Sequence, residues 1–239
     1  MVDSSPSPRG SVLFTSWVTA VLMAVVPPLW TALALSRSRE GAMRLVSRWA
    51  RRVFVVCGCP LRVTGVEHLE HESCAIVVAN HSSYLDSVVL LAVIATNYRF
   101  VANQRELVRP FVGLVLRKGG HLIVDRTSVA SRVGCTRAML DALDNGTSLV
   151  LFPEGTRSAG TMQAFRNGAF RASVKSGRPI VPVAISGTSR ILPRQFRLLS
   201  RSSIDVRVLP PIRPGKGSGE AILLRQRTVA AIADALAGV

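Results

Sequence analysis

AIVVANHSSYLDSVVLLAVI, residues 75–94, changes structural period partway along. Ala75 to Ala79 is an unbroken apolar run of strand length, rich in β-branched residues, as expected of a strand buried on both faces. From Tyr84 to Ile94 the apolar residues recur at helical spacing. A polar turn, Asn80-His81-Ser82-Ser83, separates the two. A buried strand feeding a helix through a short polar turn is the repeating unit of an α/β sheet, and such sheets place ligands at the carboxyl ends of their strands.

The same texture extends outward from Pro60 to the end of the chain. RVTGV (62–66), YRFVA (98–102), HLIVD (121–125), SLVLF (148–152), IVPVAIS (180–186) and IDVRVLP (204–210) read as further strands. Pro110–Arg117, Val129–Leu143, Asn167–Ser176 and Ala221–Leu236 read as helices, and Gly177-Arg178-Pro179 is a helix stop. The expectation is an α/β domain over residues 61–239, with a mixed, largely parallel sheet flanked by helices. SSPSPRGS (4–11) reads as a disordered arm and PPIRPGKGSG (210–219) as a loop.

Residues 1–60 read as a membrane-anchoring helical region. Val12–Leu35, VLFTSWVTAVLMAVVPPLWTALAL, carries no charge, and as helix it would be ~36 Å long, enough for a bilayer core. Pro27-Pro28 predicts a kink or a break, with two short arms dipping into one leaflet. A signal peptide headed by Arg9 fits less well, because the stretch is long and no small-x-small site ends it. Beyond it, Arg44, Arg48, Arg51 and Arg52 cluster on one side of a helical wheel, opposite Val46, Trp49, Val53 and Val56. A basic amphipathic helix of this kind lies at an anionic membrane surface or packs its apolar stripe on the following domain; the period fits both.

The net charge of +16 is uneven: +5 over residues 1–60, zero over 61–154 and +11 over 155–239. Cationic flanks suit an anionic surface, anionic substrates or nucleic acid. Nucleic acid is disfavoured, since 5% aromatic residues leave few stacking platforms and an uncharged N-terminal stretch would go unexplained. Arg190, Arg194, Arg197 and Arg201 suit a membrane- or acyl-carrier-facing surface. Cys57, Cys59, Cys74 and Cys135 lack the spacing of a zinc site and read as buried thiols in a reducing compartment.

Chemistry-bearing residues gather where strands end. His81 and Asp86, five apart, cannot be neighbours mid-helix. With His81 in the turn and Asp86 in the first helical turn, the carboxylate reaches back to one imidazole nitrogen and leaves the other free as a base. Ser83-x-x-Asp86 also has the form of a helix-capping pair. FPEGTRS (152–158) follows another apolar strand: there Arg157 has the fork to grip a phosphate, and Glu154 can accept from a substrate hydroxyl or hold Arg157. A surface turn with a local ion pair is the other reading.

Taken together, Asn80-His81-Ser82-Ser83-Tyr84-Leu85-Asp86 and, about 70 residues on, FPEGTRS resemble the glycerolipid acyltransferase family, membrane enzymes that acylate glycerol phosphate and lysophospholipids. VLRKGGHLIVDRT (115–127) resembles that family's second motif, its arginine falling on Arg126, and IVPVAIS resembles the fourth, with Pro182 in place. FRNGAF (165–170) matches a basic-x-Gly segment in which the frequent lysine is Asn167, leaving Arg166 as the charge. The likeness covers about residues 60–210, and relatives carry a two-helix anchor ahead of it.

The resemblance implies that His81, oriented by Asp86, deprotonates a lysophospholipid hydroxyl as it attacks an acyl thioester of coenzyme A or acyl-carrier protein. Arg126 and Arg157 would hold the phosphate, with Glu154, Gly155, Thr156 and Arg166 also contacting substrate. The acceptor expected is 1-acyl-glycerol-3-phosphate, giving phosphatidic acid. Another lysolipid such as a lyso-ornithine lipid, or a non-catalytic anionic-lipid-binding protein, is the alternative. No cofactor, metal or nucleic-acid partner is expected. The expected location is the cytoplasmic face of the cell membrane.

Overall fold

The computed structural model describes residues 8–94, 97–158, 161–193 and 198–238. Its centre is a seven-stranded sheet of β1 (Leu61–Thr64), β2 (Ile76–Ala79), β3 (Tyr98–Asn103), β4 (Leu122–Val124), β5 (Ser148–Leu151), β6 (Ile180–Ser186) and β7 (Ile204–Val208). The order across the sheet is β1-β7-β6-β2-β5-β3-β4. β6 and β7 pair antiparallel and every other neighbouring pair is parallel, so the sheet is mixed and mostly parallel. The strands β2 to β6 therefore all end on one edge, and the polar turns of the sequence meet there.

Helices cover both faces. Counted along the chain they are α1 (Pro8–Leu35), α2 (Arg39–Val56), α3 (Glu67–Glu70), α4 (Leu85–Val93), α5 (Pro110–Lys118), α6 (Val129–Asp144), α7 (Gly168–Ser176), α8 (Thr188–Ile191) and α9 (Glu220–Ala237). On one face, α1, α2 and α4 pack over Val77, Ala79, Val181 and Val183; on the other, residues of α6, α7 and α9 pack over Ile76, Val78, Ile180 and Ala184. Alternation along β2 thus feeds two cores, which is why that strand reads as continuously apolar.

The N-terminal helices differ from the sequence expectation in one respect. α1 is assigned as helix through Pro27 and Pro28 without a break, so the two arms are α1 and α2, joined at Ser36-Arg37-Ser38. Each proline removes a single donor, and in an apolar setting a broken helix would strand many more backbone groups. Residues 8–11 of the expected disordered arm are helical, and its earlier residues lie outside the described chain. Phe14, Val18, Val21, Val25, Leu29 and Leu33 form a stripe at helical spacing that packs inward. Leu13, Trp17, Met23, Trp30 and Leu35 remain exposed on the other side. α2 packs its stripe on α4 and α5, burying Ala42, Val46, Ala50 and Phe54, while Arg44, Arg48, Arg51 and Arg52 stay outside. The four cysteines are buried and unbridged.

His121, at the head of β4, is packed among aromatic rings and accepts a hydrogen bond from Phe100 N at its Nδ1, 3.1 Å, with Nε2 left unpartnered. Burial, and then the charges of Arg39 and Arg99, push its pKa down to about 4. The folded state therefore binds this proton less readily than the unfolded chain does. The stability it supports is intact above pH ~6.5 and is lost as pH falls towards 4, about 2 kcal/mol of it by pH 5. In His121→Asn, whose amide oxygen can replace Nδ1 as acceptor, the fall in Tm between pH 7 and pH 5 should shrink; an equally steep fall in both proteins would contradict this origin.

Candidate active site

The carboxyl end of β2 carries the first constellation. Asn80 spans the gap to β6 with its amide: Nδ2 donates to Ile185 O, 2.9 Å, and Oδ1 accepts from Ile185 N, 2.7 Å. A side chain thus does the work of a ladder residue, and it pins the start of the turn. His81 follows, its Nδ1 3.0 Å from Asp86 Oδ2. The same oxygen accepts from Ser82 N, 2.7 Å, and Ser83 N, 2.8 Å, and Oδ1 accepts from Thr188 Oγ1 at 2.5 Å. The capping and histidine-orienting readings of Asp86 are therefore both realised by one fully buried carboxylate.

Asp86 Oδ2 already acts as an acceptor for two backbone N–H groups, so His81 Nδ1 carries the hydrogen towards it and Nε2 holds the lone pair. Among the described residues Nε2 has no partner, and the side chain retains 16% exposure. Phe152 stacks on the imidazole, centroids 4.2 Å apart and planes 23° apart, which fixes the ring from the β5 side. Ser82 Oγ and Thr188 Oγ1 lie 3.2 Å apart and close the network. Thr188 reaches Asp86 because Gly187, at φ +89°, turns the chain sharply after β6; a Cβ there would lie 2.0 Å from Ser203 O.

The second constellation follows β5. Glu154 corrects the expectation that it faces substrate or Arg157: it is 4% exposed, Oε1 accepts from His81 N at 2.7 Å, and Oε2 accepts from Gln163 N at 3.0 Å. Burial pushes its carboxyl pKa up, against the two N–H groups that favour the charged form. Its place is behind the histidine, fixing the backbone on which the imidazole hangs; Ser158 N, donating to His81 O at 2.8 Å, holds the same residue from its other side. Glu154→Gln must turn an amide N–H₂ towards one of those N–H donors. It should cost about 1–3 kcal/mol of stability, read as a lower Tm, and an unchanged Tm would count against this role.

Gly155, at φ +78°, brings the backbone close to two guanidinium groups: a Cβ there would lie 2.9 Å from Arg166 Nε and 3.0 Å from Arg126 Nη1. Burial first, and then the neighbouring Arg166 charge, lower the Arg126 pKa. Two cations held together without a carboxylate within 4.0 Å, among the described residues, have the electrostatics of an anion site. Thr156 is exposed, its Oγ1 3.4 Å from Gln163 Oε1. Arg157 departs from the pair and lies over the Tyr84 ring, Cζ 3.6 Å from its centroid. Of the outlying arginines, Arg190 and Arg201 are exposed, and Arg194 and Arg197 lie outside the described residues.

The sequence reading missed Thr188, Phe152 as a stacking partner, and the bridging role of Asn80. Ser186-Gly187-Thr188 at the end of a strand parallel to β2 was the available signal for the first.

A family model described as Acyltransferase matches residues 60–186. A chloroplastic 1-acyl-sn-glycerol-3-phosphate acyltransferase of Arabidopsis thaliana is 31% identical over 159 residues, 65% of this chain and 44% of that protein. The enzyme of that name from Borreliella burgdorferi is 28% identical over 158 residues, 66% of this chain and 63% of its own. The alpha form from Ovis aries is 26% identical over 223 residues, 92% and 74%. The chain thus spans less than half the length of the Arabidopsis relative. In fold it is similar to the crystal structure of the 1-acyl-sn-glycerophosphate acyltransferase PlsC from Thermotoga maritima, with a TM-score of 0.74 and 24% identity over 94% of this chain and 93% of that one.

Proposed function

The chain belongs to the acyltransferase family, and on that premise we propose that it moves a fatty acyl group from a thioester to the free hydroxyl of 1-acyl-glycerol-3-phosphate. One observation carries the reading. An imidazole with Nδ1 tied to a buried carboxylate and Nε2 unoccupied stands at the strand ends that also hold the paired guanidinium groups of Arg126 and Arg166. A base for a hydroxyl and a grip for a phosphate on the same molecule are what such an acceptor requires.

In the proposed step, His81 Nε2 takes the hydroxyl proton as that oxygen bonds to the thioester carbonyl carbon. Asp86 stabilises the imidazolium that forms. The tetrahedral adduct collapses by breaking its carbon–sulfur bond, and the departing thiolate, whose conjugate acid has a pKa of ~8.5, recovers the proton from His81. The products are phosphatidic acid and a free thiol. The names of the relatives support this acceptor over a lyso-ornithine lipid. In this reading the donor is a thioester of coenzyme A or of acyl-carrier protein.

The exposed apolar side of α1 supports a membrane setting. Among the described residues it is the one helix long and apolar enough to cross a bilayer, yet its inner stripe lies against the domain. With Leu13, Trp17, Met23 and Trp30 turned into lipid and the α2 arginines at the headgroups, the helix would lie along the cytoplasmic face of the membrane.

The test is an assay of thiol release by protein in detergent, given palmitoyl-CoA or palmitoyl-carrier protein, with lysophosphatidate or other lysolipids as acceptor. Release that depends on lysophosphatidate is expected. Preference for an uncharged or zwitterionic lysolipid would overturn the acceptor assignment, and absence of release with every pairing would overturn acyl transfer.

A further inference from the structure

Asn80, Ser82, Ser83 and Asp86 are all held by one distant segment, the end of β6 together with α8. Asn80 pairs with Ile185 through both ends of its amide, Ser82 Oγ lies 3.2 Å from Thr188 Oγ1, and Ser83 Oγ donates to Leu192 O at 2.9 Å. The fourth contact, from Thr188 Oγ1 to Asp86 Oδ1 at 2.5 Å, bears on the base. The Asp86 carboxylate is loaded unevenly: Oδ2 accepts from His81 Nδ1, Ser82 N and Ser83 N, whereas Oδ1 has a single partner among the described residues, the Thr188 hydroxyl. The two oxygens of a carboxylate are chemically equivalent, so that division is imposed by where the donors stand. Thr188 and Asp86 are both fully buried, and solvent cannot stand in for the hydroxyl.

A charged oxygen left without a donor at such depth is strongly unfavourable, and the smallest rearrangement that relieves it is a rotation of the carboxylate, sharing the N–H groups of Ser82 and Ser83 between both oxygens. That rotation draws Oδ2 away from Nδ1. The imidazole is not free to follow, because Phe152 stacks on its ring with centroids 4.2 Å apart, and Glu154 and Ser158 pin its backbone at N and O. Resting on the acyl-transfer reading, we propose that Thr188 is a positioning residue for the base: by occupying Oδ1, its hydroxyl keeps Oδ2 on His81 Nδ1 and so keeps Nε2 aimed at the acceptor hydroxyl. Its one hydrogen goes to Asp86, so Thr188 accepts from Ser82 Oγ, and the donors run in order from Ser82 to Thr188 to Asp86.

Thr188→Val keeps the shape of the side chain and removes the hydroxyl. It should lower kcat about 10- to 100-fold, the scale of an ångström-sized misplacement at a reacting group, and leave the KM for palmitoyl-CoA and for lysophosphatidate within about twofold of wild type. Thr188→Ser, which restores the donor, should recover most of the loss, and Thr188→Cys, whose thiol donates weakly, should fall between the two. A second readout needs no turnover. In detergent-solubilised protein carrying isotope-labelled histidine, the Nδ1–H proton of His81, identified by its disappearance in His81→Ala, should move upfield in Thr188→Val and return in Thr188→Ser. A lower Tm in Thr188→Val with kcat and this resonance unchanged would make Thr188 part of the fold alone and overturn the proposal. So would equal losses in the Ser and Val variants, which would point to the methyl group, or a loss carried by KM. If Thr188→Val does not fold, a wild-type kcat in Thr188→Cys would overturn it equally. A resonance that follows the hydroxyl while wild-type protein releases no thiol would instead count against acyl transfer and leave the positioning role standing.

Discussion

His81→Ala should lower kcat for thiol release about 100- to 10,000-fold, the span that a positioned base contributes to a proton transfer in the transition state. The protein should remain folded. The imidazole is partly exposed, and Asp86 keeps its bonds to Ser82 N, Ser83 N and Thr188 when the ring is removed. The KM for either substrate should change little, because the arginines proposed to hold phosphate are untouched. Activity within about threefold of wild type would mean that the hydroxyl loses its proton elsewhere, and the proposed mechanism would fall with it.

Asp86 divides into two experiments, because its charge and its hydrogen-bond geometry can be removed separately. In Asp86→Ala, two backbone N–H groups and the Thr188 hydroxyl lose their acceptor at a site with no solvent access. At about 1–3 kcal/mol for each stranded group, the loss is several kcal/mol, a large part of the ~5–15 kcal/mol that holds a domain together. Poor expression or a sharply lower Tm is the expected result.

Asp86→Asn is the informative partner. Its carbonyl oxygen can take the place of Oδ2 and keep all three N–H donors, including His81 Nδ1, while its N–H₂ donates to Thr188 Oγ1, which turns its own hydrogen towards Ser82 Oγ. Fold and imidazole tautomer are retained, and only the negative charge beside the nascent imidazolium is lost. Exchanging a charged for a neutral partner weakens that bond by roughly 1–3 kcal/mol, so kcat should drop about 5- to 150-fold with Tm nearly unchanged. A wild-type kcat in this variant would show that Asp86 serves the turn alone.

Much of the architecture could be read from short-range pattern. The seven strands lie within a residue or two of the runs read from the sequence: β2, β5 and β6, buried nearly throughout, exclude polar residues, and β7 shows the alternation of a half-buried strand. The short α3 and α8 were not visible, since a single helical turn leaves no period to detect. Pro27-Pro28 misled for a related reason. Proline's cost is local, whereas the continuity of α1 depends on what surrounds it, including the inner stripe from Phe14 to Leu33 that docks on the domain.

At the site, His81 with Asp86 was legible because both lie in one turn, five residues apart, and local geometry is almost enough to pair them. Glu154 was misassigned. Its composition suggested a group that faces substrate, but its partners, His81 N and Gln163 N, are set by how the ends of β2 and β5 come together.

The residues alone determined the alternation of strands and helices, the apolar N-terminal stretch, and the pairing of His81 with Asp86, since each depends on neighbours a few positions away. Only the assembled sheet decided that Thr188 would complete the Asp86 network, that Arg126 and Arg166 would meet at Gly155, and that Arg157 would leave them for Tyr84. The reason is distance along the chain: those partners are brought together by strand order and by crossovers tens of residues long, and nothing in a local window records which strand ends will be adjacent.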